Sequence, residues 1–235
     1  MRPPRKGKLL RRSGIGVGII CEGIGWKADE IYQVGVGDNH QETDVLSEAW
    51  AGVKFYGCDP RPCKDYPGIF HQVAVTDKVG QARLYVKPRH HDGSSLYPTP
   101  IATRDGLQPM MREVQTDTLD NLFPDPQGQH ILLWLDCEGS ELAALQSGDN
   151  LLGKAEVVNV EMTFGPKTAK GKYLAVEIYR HLVRCGFWML DNHTQRLQEG
   201  QCDYVYVRSY LFRPDRCLSP QELDRWDLLT GQGRV

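Results

Sequence analysis

The sequence predicts an α/β fold in which a mostly parallel sheet carries helices on both faces. Strand-like and helix-like apolar blocks alternate along the chain, the pattern of a layered fold rather than of a sandwich or a bundle. The strand-like blocks are almost continuously apolar, which suits strands covered on both sides. The first of them runs into two glycines one residue apart, Gly35 and Gly37, where a chain can turn sharply and let a ligand approach its backbone.

Tyr32 to Val36 is the opening strand, and Thr43 to Ala51 is the helix after it. Val53 to Cys58 and Phe70 to Val75 are the next two strands. Between them Pro60, Pro62 and Pro67 leave room for at most one helical turn, because proline lacks an N–H and clashes with the preceding turn. Val79 and Gly80 lead into the alternating run Ala82 to Val86, expected as a hairpin extension. A polar stretch from Lys87 to about Arg112 holds His90, His91, Pro88, Pro98, Pro100 and Pro109, and its length marks a lid or binding loop. Ile131 to Leu135 and Val157 to Glu161 are two further apolar strands, with a helix from Ser140 to Gln146 between them. Tyr173 to Cys185 sets Leu174, Ile178 and Leu182 at helical spacing. Phe187 to Leu190 and Asp203 to Val207 are close in sequence and should pair antiparallel. Ser219-Pro220-Gln221-Glu222 is a capping box with proline at the first helical position, so a short helix should run through Leu229.

Composition bounds the partners. With 235 residues, 40% hydrophobic and 25% charged, the chain can bury one sizeable core. A formal net charge of -2 gives no global attraction for nucleic acid or an anionic membrane. No run reaches the roughly 18 apolar residues of a spanning helix. The seven cysteines include no C-x-x-C pair, so reduced thiols and a cytoplasmic location are expected. Residues 1–28 form a basic, glycine-rich arm, residues 29–211 the functional domain, and residues 212–235 a tail with a short helix. In the arm, Arg2, Arg5, Lys6, Lys8, Arg11 and Arg12 precede the run Gly14 to Ile20. That run is too short and glycine-rich for a secretion signal and lacks a small-x-small cleavage site. The glycines at 14, 16 and 18 have no strand before them and are set aside as a nucleotide motif.

The chemistry gathers at strand ends. Asp59 follows the second strand at the distance where nucleotide folds place an acid on the ribose hydroxyls. Leu133-Trp134-Leu135 ends in Asp136-Cys137-Glu138-Gly139-Ser140-Glu141, and the next apolar strand ends in Glu161. Ligands of open α/β sheets bind at such carboxyl ends, so Asp136, Glu138 and Glu161 are the candidate catalytic acids. Asp136 also reads as a helix cap, Glu161 as an ion-pair partner, and Glu141 as an acid favoured by a helix dipole. The acids have the ligand type of a divalent-cation site, but no resident metal is assigned. The glycine pair also fits a nicotinamide oxidoreductase, whose third glycine is here His40.

The succession Gln33-Val34-Gly35-Val36-Gly37, Gly57-Cys58-Asp59-Pro60, Val73-Ala74-Val75-Thr76-Asp77, Val114-Gln115-Thr116-Asp117-Thr118-Leu119-Asp120 and Asp136-Cys137-Glu138-Gly139-Ser140-Glu141, then Val160-Glu161, resembles the FkbM-type methyltransferase family. The resemblance covers roughly residues 30 to 165, and its most specific part is the Asp-x-Glu-Gly-x-Glu block preceded by Thr-Leu-Asp. It implies a Rossmann-like, seven-stranded methyltransferase sheet with the last strand inserted antiparallel. It implies S-adenosylmethionine as cofactor and a hydroxyl oxygen on a sugar, glycan or other small molecule as acceptor, while the charge and the lack of an apolar span lead to neither nucleic acid nor membrane being expected as partner. By the same resemblance Gly35 and Gly37 lie under the methionine part of the cofactor, Asp59 binds the ribose, and Ala74 and Val75 lie near the adenine. Asp136 sits beside the amino acid part or the acceptor, and Glu138 faces the acceptor. Gln33 stands where an acid is usual, so a catalytically silent binding module is the alternative reading.

Overall fold

The computed structural model describes residues 13–37, 41–86, 94–98, 110–163, 175–192 and 201–211. The main sheet is built from β1 (Glu30–Val34), β2 (Lys54–Cys58), β3 (Ile69–His71), β7 (Ile131–Leu135), β8 (Ala155–Thr163), β9 (Phe187–Asn192) and β10 (Gln201–Arg208). Its order is β3-β2-β1-β7-β8-β10-β9. β1 pairs in parallel with both β2 and β7, β7 with β8, and β2 with β3, while β10 runs antiparallel between β8 and β9. This is the Rossmann-like methyltransferase sheet with its antiparallel last strand.

The continuous apolar runs follow from burial on both faces. Along β7, Ile131, Leu133 and Leu135 belong to one core cluster, with Leu142, Leu145, Leu151, Ile178 and Leu182. Leu132 and Trp134 belong to the other, with Val17, Cys21, Leu46 and Trp50. The first cluster is covered by α4 (Glu141–Gln146), α5 (Asp149–Lys154) and α6 (Ala175–Arg184), the second by α1 (Ser13–Gly23) and α2 (Gln41–Ala49).

Several elements depart from the sequence expectation. Residues 13–23, expected within an arm, form α1, whose Val17 and Cys21 are fully buried. Apolar side chains at i and i+4 share one helix face, and here they outweigh the helix's glycines at 14, 16, 18 and 23. The expected strand Phe70 to Val75 is two strands. Val73 N–H donates to the His71 carbonyl at 3.0 Å, a tight turn that carries the chain from β3 to β4 (Ala74–Val75). β4 pairs in parallel with β6 (Met110–Asp117), and β5 (Gly80–Val86) pairs antiparallel with it, making a second sheet of order β4-β6-β5. β6 was legible only as a motif, because its exposed Met110, Met111, Arg112 and Glu113 give no apolar strand signal. No helix is present between Asp59 and Ile69, in keeping with the prolines. His90, His91 and the capping box at Ser219 lie outside the described residues.

The Thr-Leu-Asp motif is structural in this chain. Thr118 caps α3 (Leu119–Leu122) by accepting the Asn121 N–H at 3.3 Å, and Leu119 is fully buried. The Asp120 carboxylate accepts the Asn150 and Leu151 N–H groups at 3.1 and 3.2 Å, satisfying the unpaired donors that open α5.

Candidate active site

Strand register alone assembles the site. Val34 is paired with Cys58 on one side and Leu135 on the other, and Leu135 with Val160. Of the residues that follow, Gly35, Asp59 and Asp136 therefore leave the sheet side by side at its carboxyl edge, and Glu161, still within β8, stands at the same level, where ligands of this class of sheet bind. Asp203 of β10 is paired with Glu161 and extends the row of acids.

Asp136, Glu138 and Glu161 converge: one carboxylate oxygen of each lies within 4.8 Å of the others. Asp136 is open to the crevice, Glu138 and Glu161 are half-buried. Glu138 reaches the group only because its backbone takes the left-handed conformation, at φ 55°. Two contacts hold that turn. The Glu141 carboxylate accepts the Cys137 and Gly139 N–H groups at 3.2 and 2.8 Å, and Ser95 Oγ donates to the Glu138 carbonyl at 2.6 Å. Glu141 is thus an anchor of the acid turn rather than only a partner for a helix dipole. Asp136 does not cap α4, whose N-cap position is Ser140.

Like charges at this spacing oppose one another's ionisation. Desolvation against the crevice walls, then Glu138, Asp203, Glu141 and Glu42, push the Asp136 carboxyl well above the usual range. Desolvation, then Asp136, Glu138, Glu141 and Asp203, do the same to Glu161. A proton is therefore retained in the group at pH values where isolated carboxyls have lost theirs. As oxygen donors the three acids also suit a hard divalent cation, which would need further oxygens to complete about six ligands.

The glycine turn lies beside them. Gly35 has φ +86°, and a Cβ there would meet the Asp136 carbonyl oxygen at 1.8 Å. Its glycine is thus demanded by packing of the turn on the end of β7, not by space for a ligand. Gly37 has φ +73°, and among the described residues the nearest atom to an added Cβ is a terminal nitrogen of Arg61 at 3.9 Å. Gly37 N–H donates to Asp59 Oδ2 at 3.0 Å, joining the turn to the acid after β2. Asp59 is 4% exposed and also holds Arg61, through the backbone N–H at 2.8 Å and Nε at 3.2 Å on Oδ1. Gln33 is buried and its Oε1 accepts the Thr43 hydroxyl at 2.6 Å, so this amide is used to fix the start of α2. Ala74 and Val75 are buried on β4, beside Asp117 of β6.

Sequence reading missed Arg61, Ser95, Glu42 and Asp203. Arg61 had a signal, a cation two positions after the candidate ribose acid. Asp203 sat in an expected strand, but its neighbour became known only with the antiparallel register. Ser95, in the long polar stretch, bridges to Tyr85 among the described residues, and no local pattern announces its contact with Glu138.

A family model described as "Methyltransferase FkbM domain" matches residues 33–189. No curated protein matches the chain in sequence. Among solved structures, the 1,6-didemethyltoxoflavin-N1-methyltransferase of Burkholderia thailandensis is 11% identical, with 86% of this chain and 79% of that one covered at a TM-score of 0.42. The magnesium protoporphyrin IX methyltransferase of Synechocystis is 12% identical, with 88% and 87% covered at a TM-score of 0.39. The precorrin-6y C5,15-methyltransferase of Geobacter metallireducens is 10% identical, with 88% and 93% covered at a TM-score of 0.40. These likenesses are loose, and the assignment rests on the sequence family: the chain belongs to the FkbM methyltransferase family, whose members take their methyl group from S-adenosylmethionine.

Proposed function

We propose that the chain methylates a hydroxyl oxygen of a sugar, glycan or other small molecule at the carboxyl edge of β1, β2, β7 and β8. The observation that carries this reading is the convergence of Asp136, Glu138 and Glu161 within 4.8 Å beside the Gly35–Gly37 turn. The residues present fit the cofactor. Asp59 is a buried carboxylate with two lone-pair oxygens of the type that accepts a ribose diol, and among the described residues only the end of the Arg61 side chain comes within 4 Å of a Cβ placed on Gly37. The side chains of Ala74 and Val75 are buried, so an adenine contact there falls to their backbone edges.

When bound, S-adenosylmethionine supplies a methyl group already activated by its sulfonium. The protein's share is then to align the acceptor oxygen and to take its proton, with alignment the larger contribution. A carboxylate whose proton affinity has been raised by like charges is the better base, and such a base contributes roughly 10²-fold to 10⁴-fold. Asp136 and Glu138 are the proposed general bases, the Asp136 carboxyl raised by desolvation and by Glu138 itself, with Glu161 beside them on the neighbouring strand. Ser95 and Glu141 hold the backbone that aims Glu138.

The test is a search for metabolites heavier by one methyl group in cells with and without the protein, repeated with Glu138→Gln and Asp136→Asn. A product that appears with the wild type and is lost with both variants supports the reading. A product on nitrogen or carbon would replace the hydroxyl acceptor, and undiminished product from both variants would remove the acids from the mechanism.

A further inference from the structure

The carboxylate expected to bind the ribose already holds a fork of donors. Asp59 receives four kinds of N–H, two from backbone and two from one side chain. The backbone pair, Gly37 at 3.0 Å on Oδ2 and Arg61 at 2.8 Å on Oδ1, fixes the orientation of the carboxylate. The side-chain pair is longer: Arg61 Nε reaches Oδ1 at 3.2 Å and Arg61 Nη2 reaches Oδ2 at 3.4 Å. The guanidinium thus places one donor on each oxygen, the same two positions that adjacent hydroxyls of a ribose would take. Its terminal nitrogen also lies over Gly37, 3.9 Å from where a Cβ would be. The pair is well buried, with side-chain exposures of 13% and 5%.

We propose that Arg61 is an internal competitor of the ribose, a specificity-determining residue whose guanidinium must leave Asp59 for the cofactor to bind. The inference rests on the reading of Asp59 as the ribose acid. Two hydroxyls replace two guanidinium N–H donors in kind, so a complete diol leaves the carboxylate satisfied. A deoxy sugar leaves one oxygen short of a donor, and a buried group left unpaired is strongly disfavoured. Arg61 therefore lowers affinity for every nucleoside while making a full ribose the one that displaces it.

Calorimetric titration of the whole chain with S-adenosylhomocysteine tests this, using wild type, Arg61→Gln, Arg61→Lys, Asp59→Asn and the double variant Asp59→Asn/Arg61→Gln. Removing a self-occluded fraction raises apparent affinity, so Arg61→Gln should bind about ten-fold more tightly than wild type. Arg61→Lys keeps a cation but loses the fork and should lie between them, and it decides the matter if circular dichroism shows Arg61→Gln unfolded. In the Asp59→Asn background the Arg61→Gln gain should vanish, since there is no carboxylate left to compete for. Equal or weaker binding by both Arg61 variants, with wild type binding normally, overturns the competitor role and leaves the cofactor reading intact. Absence of binding by every one of these proteins overturns both.

Discussion

Gly35 shows how little freedom single residues have at this edge. A side chain there would combine a left-handed backbone at φ +86° with a contact of 1.8 Å to the Asp136 carbonyl. Such strain and overpacking each cost about 1 to 3 kcal/mol, so Gly35→Ala should destabilise the fold by about 3 kcal/mol or more, read as a drop in denaturant midpoint. Glu161 acts in the opposite direction. Its carboxyl is held above the usual range by desolvation and by Asp136, Glu138, Glu141 and Asp203. A carboxyl whose folded value is raised binds more protons folded than unfolded, so stability falls as pH rises from the unfolded value through the folded one. Glu161→Gln removes that loss, and denaturation at pH 5 and pH 8 should show the variant gaining on wild type at the higher pH. An equal difference at both values would mean that the acids do not repel one another as their spacing requires.

Elements are tied together at the end of the sheet away from the acids. The Glu156 carboxylate, at the start of β8, accepts Trp26 Nε1 at 2.7 Å and Tyr210 Oη at 2.8 Å and lies 2.7 Å from His130 Nδ1. It so joins the segment after α1, the approach to β7 and the end of β10. Burial pushes this carboxyl up, but the hydrogen bonds from Trp26, His130 and Tyr210 outweigh it and leave the group below its ordinary range. Its contribution is present above the unfolded value near 4.3 and is lost as pH falls through the lower folded value. Glu156→Ala leaves the buried Trp26 N–H without its partner and should cost on the order of 2 kcal/mol at neutral pH, with the difference shrinking in acid. None of this was legible in sequence, because Trp26, His130, Glu156 and Tyr210 are brought together only by sheet order. The strands themselves were legible where both faces are apolar, as at Ile131 to Leu135. They were not where a strand is exposed, as at Met110 to Glu113, or where a two-residue strand hides behind a turn, as at Ala74. The acids of the site were readable because each follows an apolar strand. Arg61 offered a local signal, a cation two positions after Asp59, whereas Ser95 offered none, since its contact with Glu138 crosses from one loop to another.

At the scale of the molecule, the parallel register of β1, β2, β7 and β8 sends the glycine turn, the proposed ribose acid Asp59 and the catalytic candidates to a single edge. The proposed roles divide binding and chemistry between different residues of that edge, a division that ligand-linked stability tests. S-adenosylhomocysteine at a hundredfold excess over its dissociation constant should stabilise the wild type by about 2.7 kcal/mol. Asp59→Ala removes hydrogen bonds to a charged group worth about 1.5 to 3 kcal/mol, a loss near 45-fold in affinity at the middle of that range. The same ligand concentration should then add only about 0.7 kcal/mol to that variant. Glu138→Gln, at the residue proposed to face the acceptor, should keep the full stabilisation while losing turnover. Thermal unfolding of the three proteins with and without ligand checks this. If Asp59→Ala is stabilised as much as wild type, the ribose is not held at the end of β2. If Glu138→Gln loses the stabilisation as well, the acid turn belongs to the cofactor's seat, and the base must be sought in Asp136.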